Sequence, residues 1–310
     1  MTGDDSEASR VLSPDEAFSV LGNETRVRIL QTLGEADAAL SFTELRDSVG
    51  IRQGAQFNYH LDRVLGHFVR KTDDGYALRQ PGRRVVQAIL SGAITDDSRV
   101  EPTTVDFACR HCGTQVDVSY RDGEMGLTCT ECSGNYLGTA GQGEEDELRW
   151  NLSRMSLPPA GVRGRSPLGV LRAAATLEHL DALAAASDVC PRCSASVEQS
   201  LHACKDHEGT DGVCDRCEAY HAVHVHYRCT NCIYEQRFAA VMGILDAPPL
   251  LAFLGDHGHN PSAGGIEWGW EYDEEILSTD PFSARFTFTI DGDTITLVVD
   301  EAFRVESVER

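Results

Sequence analysis

The 310-residue chain carries 49 Asp plus Glu against 27 Lys plus Arg, a net charge of -22, and 41% of its residues are apolar. That apolar share and its periodic segments exclude a disordered acidic chain. No apolar run reaches the length of a membrane span and the acidic start MTGDDSEASR is neither signal nor transit peptide, so a cytoplasmic protein with no membrane partner is expected.

Ser13-Pro14-Asp15-Glu16 predicts a helix start, with Ser as cap, Pro at the first position and acids in the first turn, and the helix runs to Leu21. A second begins after Asn23, with Val27, Ile29, Leu30 and Leu33 as apolar positions, and stops at Gly34. Ser41 caps a third, FTELRDSV, where Glu44 completes a capping box and Gly50 ends the helix. Ile51 to Arg70 then reads as one helix with two unlike faces. Phe57, Leu61, Val64 and Phe68 form a core stripe. Arg52, Gln56, Tyr59 and Arg63 fall within roughly 60° on the opposite side at about 100° per residue. Those side chains suit base edges and phosphates; an ordinary amphipathic surface helix is the alternative. VRKTDDGYALR reads as strand, turn, strand, and Pro81 opens a last helix. Residues 51–90 hold seven Arg or Lys (52, 63, 70, 71, 79, 83, 84) against three Asp, a local charge of +4 that leaves -26 on the rest.

In LGNETRVRILQTL and FTELRDSVGIRQGAQFNYHLDRVLGHFVRKTDDGYALRQPGRRVV the chain resembles the ArsR-type winged-helix regulators, with Tyr59-His60-Leu61 and Gly75-Tyr76-Ala77-Leu78 in register. The resemblance implies a winged helix-turn-helix over residues 11–95 that binds double-stranded DNA as a homodimer. The recognition helix (52–67) would enter the major groove and the wing would lie on the backbone. Carried over, Arg52, Gln53, Gln56, Tyr59 and Arg63 would approach DNA, and Arg70, Lys71 and Arg79 would sit at the wing, where a solvated hairpin edge is the competing explanation. His60 is expected on the flank of the helix bundle. Metal-sensing members place Cys in the helix before the recognition helix, whereas this chain reads Thr43-Glu44-Leu45-Arg46-Asp47, so metal sensing there is not expected. Lys71 and Lys205 are the only lysines, and acidic excess with scarce Lys resembles the composition of proteins from extreme halophiles.

Eleven cysteines, mostly in C-x2-C pairs, point in a reducing compartment to metal rather than disulfides. Cys109 and Cys112 with Cys129 and Cys132 bracket an alternating segment around Arg121-Asp122-Gly123. That is the plan of a zinc ribbon over 105–137, since tetrahedral zinc takes four ligands from two turns. A redox C-x-x-C would be a lone pair near a βαβ unit. In 188–240, Cys190, Cys193, Cys204, His207, Cys214, Cys217, Cys229 and Cys232 supply paired knuckles for two more sites. Sequential pairing, the first four apart from the last four, closes the shorter loops and is preferred; an interleaved arrangement uses the same ligands. About three structural Zn2+ sites are expected, all coordinatively full and none catalytic. His202 is a weaker candidate than His207. His221, His224 and His226 could add ligands, although His224 and His226 alternate on one strand and read as a solvated edge.

Residues 138–187 read as a linker and long helix: a Gly-rich loop from Gly138 to Gly143, an interruption at Pro158-Pro159, then a helix from Leu168 to Ala186 capped by Ser166-Pro167. Residues 241–310 read as an effector or dimerisation segment. Pro249 to Gly258 is its helix, strand-like runs begin at Ile266, and ARFTFTI and TITLVVD place Phe286, Phe288 and Ile290 with Ile295, Leu297 and Val299 on one face. This acidic part behind a winged helix resembles haloarchaeal helix-turn-helix regulators, which brings a fold and no effector ligand. The fold class expected is α+β, an N-terminal winged helix-turn-helix followed by zinc ribbons inserted in an antiparallel-sheet-plus-helix domain. No phosphate loop, nucleophile elbow or H-E-x-x-H motif occurs, and a helix C-cap explains Asp256-His257-Gly258-His259, so no enzyme is expected. The functional expectation is a sequence-specific DNA-binding transcriptional regulator. The alternative is a zinc-ribbon protein-interaction module of transcription or RNA-processing machinery.

Overall fold

A computed structural model describes residues 12–109, 111–132, 134, 151–208, 214–217, 219–259 and 271–310. The acidic N-terminal ten residues, the Gly-rich loop 138–143 and the start of the strand run at 266–270 lie outside the described residues. The chain divides into two compact units, Met1–Asp96 and Asp97–Arg310.

In the first unit, Ser13 and Glu16 form a capping box at α1 (Pro14–Leu21), and Asn23 accepts from the Thr25 and Arg26 amides at the start of α2 (Glu24–Glu35). Ser41 and Glu44 form a second box at α3 (Phe42–Val49), which Gly50 closes in the left-handed conformation. Each cap satisfies amides that a first helical turn leaves without partners. Then come α4 (Gly54–Val64), the antiparallel pair β1 (Val69–Thr72) and β2 (Gly75–Leu78), and α5 (Gln80–Leu90). Ile29, Leu30, Leu45, Phe57, Leu61 and Val64 fill the core. Leu40 joins the hairpin through a bridge to Tyr76. It leaves room only for glycine at position 75, where a Cβ would stand 2.3 Å from the Leu40 carbonyl oxygen.

The helix expected over Ile51 to Arg70, with its recognition segment 52–67, is shorter at both ends. Gln53 is an extended N-cap, Leu65 leaves the helical region at ψ 143°, and Gly66 turns the chain toward β1 at φ +83°. Phe68 is buried all the same, because the turn returns it to the core that Phe57 and Leu61 face, and so it prolongs the stripe without prolonging the helix.

The second unit holds three antiparallel sheets, in the orders β3-β4-β5-β6, β7-β8-β9 and β10-β11-β12-β13. Their strands are β3 (Val100–Ala108), β4 (Gln115–Arg121), β5 (Glu124–Cys129), β6 (Ser153–Ser156), β7 (Val197–Ala203), β8 (Val223–Cys229), β9 (Glu235–Ala239), β10 (Glu271–Thr279), β11 (Phe282–Ile290), β12 (Asp293–Asp300) and β13 (Val305–Glu309). Asp122-Gly123 and Asp291-Gly292 both take positive φ, the backbone that two-residue hairpins require. The twenty-residue α6 (Pro167–Ala186) packs Val170, Leu171 and Ala174 on the first sheet and Ala182 and Ala185 on the second. On the third sheet Phe286 pairs with Leu297 and Phe288 with Ile295, and α7 (Pro248–Asp256) covers them with Leu250, Phe253 and Leu254. Cross-strand pairs of this kind carry sheet stability.

The reading of His224 and His226 as a solvated edge is corrected. Their strand, β8, is the middle of its sheet, so His224 is buried; His226 is half-buried and lies 2.8 Å from Glu235. The architecture is mixed α+β with several antiparallel sheets. No helix among the described residues is long and apolar enough to cross a membrane.

Candidate functional site

Four of the cysteine turns share one backbone solution. The amide of the leading cysteine donates to the carbonyl five residues on: Cys109 to Thr114 at 2.7 Å, Cys190 to Ala195 at 2.8 Å, Cys214 to Ala219 at 3.0 Å and Cys229 to Tyr234 at 2.9 Å. Gly113 and Ser194, at φ +75° and +62°, let two of these turns close. A turn of this shape points both of its thiols to one side.

Three sets of side chains converge: Cys109, Cys112, Cys129 and Cys132; Cys190, Cys193, Cys229 and Cys232; and Cys204, His207, Cys214 and Cys217. Within each set the ligating atoms all lie within 4.8 Å of one another. In the first, Sγ to Sγ is 3.7 Å for Cys109 to Cys132 and 3.5 Å for Cys112 to Cys129; in the second, 3.7 Å for Cys190 to Cys232 and 3.5 Å for Cys193 to Cys229. These spacings are too long for disulfides, at about 2.05 Å. They approach the edge of about 3.8 Å that a tetrahedron with Zn–S bonds of about 2.3 Å would have. The donor sets therefore fit a tetrahedral ion such as zinc.

The sequential pairing preferred for residues 190–232 is overturned: the sets interleave. β7 and β8 pair antiparallel, so the turn before β7 meets the turn after β8, while Cys204 to Cys217 fall in the connection at the opposite end. Each of the two sets then closes against strands already paired, and the shorter-loop argument loses its force.

The surroundings favour thiolate. The Arg192 amide donates to Cys190 Sγ at 3.4 Å, the Asn231 and Cys232 amides to Cys229 Sγ at 3.3 Å, and the Asn231 side chain to Cys193 Sγ at 3.6 Å. The Ala195 amide, with Asn231, holds Cys193 down to about 6. The Thr114 amide and hydroxyl hold Cys112 down to about 7, and the Glu208 amide holds Cys214 at about 7. Burial pushes Cys132 up to about 12 and Cys217 up to about 11. Thiols this close cannot all ionise by themselves, and a bound cation removes that conflict.

His207 presents Nδ1 to Cys217 Sγ at 3.4 Å, and its Nε2 lies 3.0 Å from the Tyr220 carbonyl oxygen. A carbonyl only accepts, so the proton sits on Nε2 and the Nδ1 lone pair faces the thiols, as a metal-ligating imidazole needs. Asn151, which the spacing arguments missed, clamps the Cys129 turn. Its Nδ2 donates to the Cys129 and Cys132 carbonyls at 2.9 and 3.0 Å, and its Oδ1 accepts from the Cys129 amide at 2.8 Å. No motif announces it, for it lies beyond a long segment with no cysteine. His202, His221, His224 and His226 join none of the three sets.

In the first unit, Gln56, Tyr59 and Arg63 stand exposed on α4, Tyr59 at 58%. Arg52 and Gln53 are exposed ahead of the helix, and Arg70 and Lys71 on β1. Gln53 makes no side-chain cap bond. Arg79 differs from the exposed hairpin cations: it is half-buried, and its guanidinium donates to the Gly66 carbonyl. His60 lies on the bundle flank, where burial and then the nearby Arg26 charge lower its pKa.

These features define an α+β protein whose thiol-rich clusters could hold metal ions such as zinc. The chain belongs to the family described as Domain of unknown function (DUF7351), which matches residues 106–305. Domain of unknown function (DUF7347) matches residues 14–89. No curated protein and no solved structure matches.

Proposed function

We propose that the protein is a sequence-specific DNA-binding transcriptional regulator of the ArsR-like winged-helix kind, with three structural zinc centres in its second unit. One observation carries the reading: a helix with Gln56, Tyr59 and Arg63 exposed in a row is followed at once by a hairpin bearing exposed Arg70 and Lys71. None of these three cations forms an ion pair among the described residues, and all lie in the basic island of an otherwise acidic chain. Gln can bond adenine and Arg guanine bidentately, while Tyr and the hairpin cations reach phosphates. The amides at the start of α4, with no side-chain cap, are open to a phosphate as well.

The active form is a homodimer on two half-sites. Phe18 and Ile94, 74% and 75% exposed in the first unit, supply apolar surface for self-association. The zinc centres hold sheets together and leave no ligand position for catalysis. Selection from random duplexes with the full chain, followed by shift assays, tests the reading. A discrete motif should emerge, and Arg52→Ala with Arg63→Ala should weaken binding to it while zinc content holds. Enrichment of no motif, with transcription or RNA-processing proteins copurifying, would select the interaction-module alternative.

A further inference from the structure

One face of α6 borders a cleft of about 500 Å³ beside the Cys190, Cys193, Cys229 and Cys232 cluster, lined among others by Glu178, Asp181, Arg192, Tyr234, Glu235 and Phe238. Some of these groups satisfy one another. Arg192 Nη1 and Nη2 donate to Asp181 Oδ1 and Oδ2 at 3.2 and 2.6 Å, and its guanidinium sits 5.8 Å from the centre of the Tyr234 ring. Glu235 is engaged by His226.

Two groups are left over. Tyr234 is only 8% exposed, and its hydroxyl has no hydrogen-bond partner among the described residues, a state that buried polar groups rarely keep without water or a ligand. Glu178 stands one helical turn before Asp181 and has no cation of its own among the described residues, since Asp181 takes up Arg192. Burial and then the Asp181 charge push the Glu178 carboxyl up to about 8, the behaviour of an acid lacking a counter-ion. Asp181 and Glu235 stand against the single Arg192 guanidinium in the lining, and a cation placed beside Glu178 would supply the counter-ion that draws off its proton. Ile233, fully exposed, forms an apolar lip.

We propose that this cleft binds an alkylammonium group, with the Glu178 carboxylate as its anion, the Tyr234 hydroxyl as a second acceptor, and the alkyl stem along Phe238 and Ile233. An ammonium is a compact charge with three donors, enough to serve both the Glu178 carboxyl and the Tyr234 hydroxyl that line the cleft. A guanidinium would seek a flat aromatic surface, and Arg192 already occupies the Tyr234 ring. A hard divalent ion needs about six oxygen ligands, more than Glu178 and Tyr234 offer. The ammonium can come from a lysine side chain of a partner or from a free polyamine.

Isothermal titration of the full-length, metal-loaded protein tests the site with n-pentylammonium, n-pentylguanidinium and n-pentanol, which share a stem and differ in head group. Pentylammonium should bind saturably and most tightly. Glu178→Gln should weaken it by about tenfold or more, as loss of a charge-assisted contact does, with zinc content unchanged. Tyr234→Phe, which removes only the hydroxyl, should weaken it several-fold and carries the test if the first variant does not fold. In a second arm, spermidine is compared with N-acetyl-lysine methylamide: tighter spermidine binding assigns a free polyamine, tighter lysine binding a partner side chain. The proposal is overturned by absence of saturable pentylammonium binding, by equal binding of pentanol, by tighter binding of the guanidinium, or by unchanged affinity in the folded variants.

Discussion

Val197 on β7 stands directly opposite Cys229 on β8, and this one pairing decides how eight clustered Cys and His side chains, which could hold metal, divide. It brings the Cys190 turn to the Cys229 turn and sends Cys204, His207, Cys214 and Cys217 to the far end of the hairpin. The two centres should therefore fail differently. Structural zinc contributes on the order of 10 kcal/mol to folding at neutral pH, comparable to the whole stability of a domain. Cys190→Ser with Cys229→Ser should lose one metal equivalent and loosen the core around Tyr227, Phe238 and Ala182. Cys204→Ser with Cys217→Ser should also lose one equivalent, while cleavage by protease stays confined to the connection between β7 and β8. Metal analysis with limited proteolysis checks this, and identical cleavage patterns for both variants would refute the nested arrangement.

Cysteine spacing, capping boxes and the Asp-Gly turns act over a few residues, so the twelve clustering Cys and His side chains, the helix starts and the hairpins are legible in the sequence. Partner choice among like pairs depends on strand register. β7, VEQSLHA, has too weak an alternation to declare its pairing with β8, and so His224 reads from the sequence as an edge residue. The end of α4 was hidden for another reason. Phe68 keeps the helical spacing of the buried stripe, and only Gly66, which favours the left-handed turn there, marks the break.

Arg79 donates to the Gly66 carbonyl, tying the turn after α4 to the entrance of α5. Its role in holding the hairpin should be separable from that of its exposed neighbours. Arg79→Ala should cost about 1–2 kcal/mol, the scale of a hydrogen bond to a charged group, seen as a lower urea midpoint. Arg70→Ala and Lys71→Ala should each stay within about 0.5 kcal/mol of the parent, as exposed substitutions do. An Arg79→Ala protein with unchanged midpoint would show that the tie carries no stability.

Glu274 sets a pH dependence in the second unit. Its Oε1 accepts from the Ala222 and Val223 amides, the latter at 3.1 Å, and its Oε2 from the Tyr272 hydroxyl at 2.8 Å. Burial nevertheless pushes its carboxyl up to about 7 from an ordinary 4.5. Between those two values the folded chain keeps a proton that the unfolded chain has released. The contribution is thus fully present below about 4.5 and is lost as pH rises through about 7, on the order of 3 kcal/mol in all. Glu274→Gln keeps an acceptor for both amides and cannot titrate. Its stability relative to the parent should rise across that window, measured by urea unfolding at successive pH values; a constant difference would exclude the ionisation.

Salt separates the two kinds of contact proposed for the first unit. A phosphate contact releases counterions, so each one lost should lower the magnitude of the log affinity against log salt slope by about 1. A base contact carries no such term. Arg70→Ala and Lys71→Ala should therefore weaken operator binding strongly in dilute salt and progressively less as salt rises. Gln56→Ala should cost about 1–3 kcal/mol of base discrimination at every salt concentration, with the parent slope retained. Counterion release fades as salt rises and the net charge of -22 offers DNA no overall attraction, so on this reading the α4 side chains should supply most of the affinity at high salt. Shift assays from dilute to molar salt would overturn this division if Gln56→Ala flattened the slope and the hairpin variants left it unchanged.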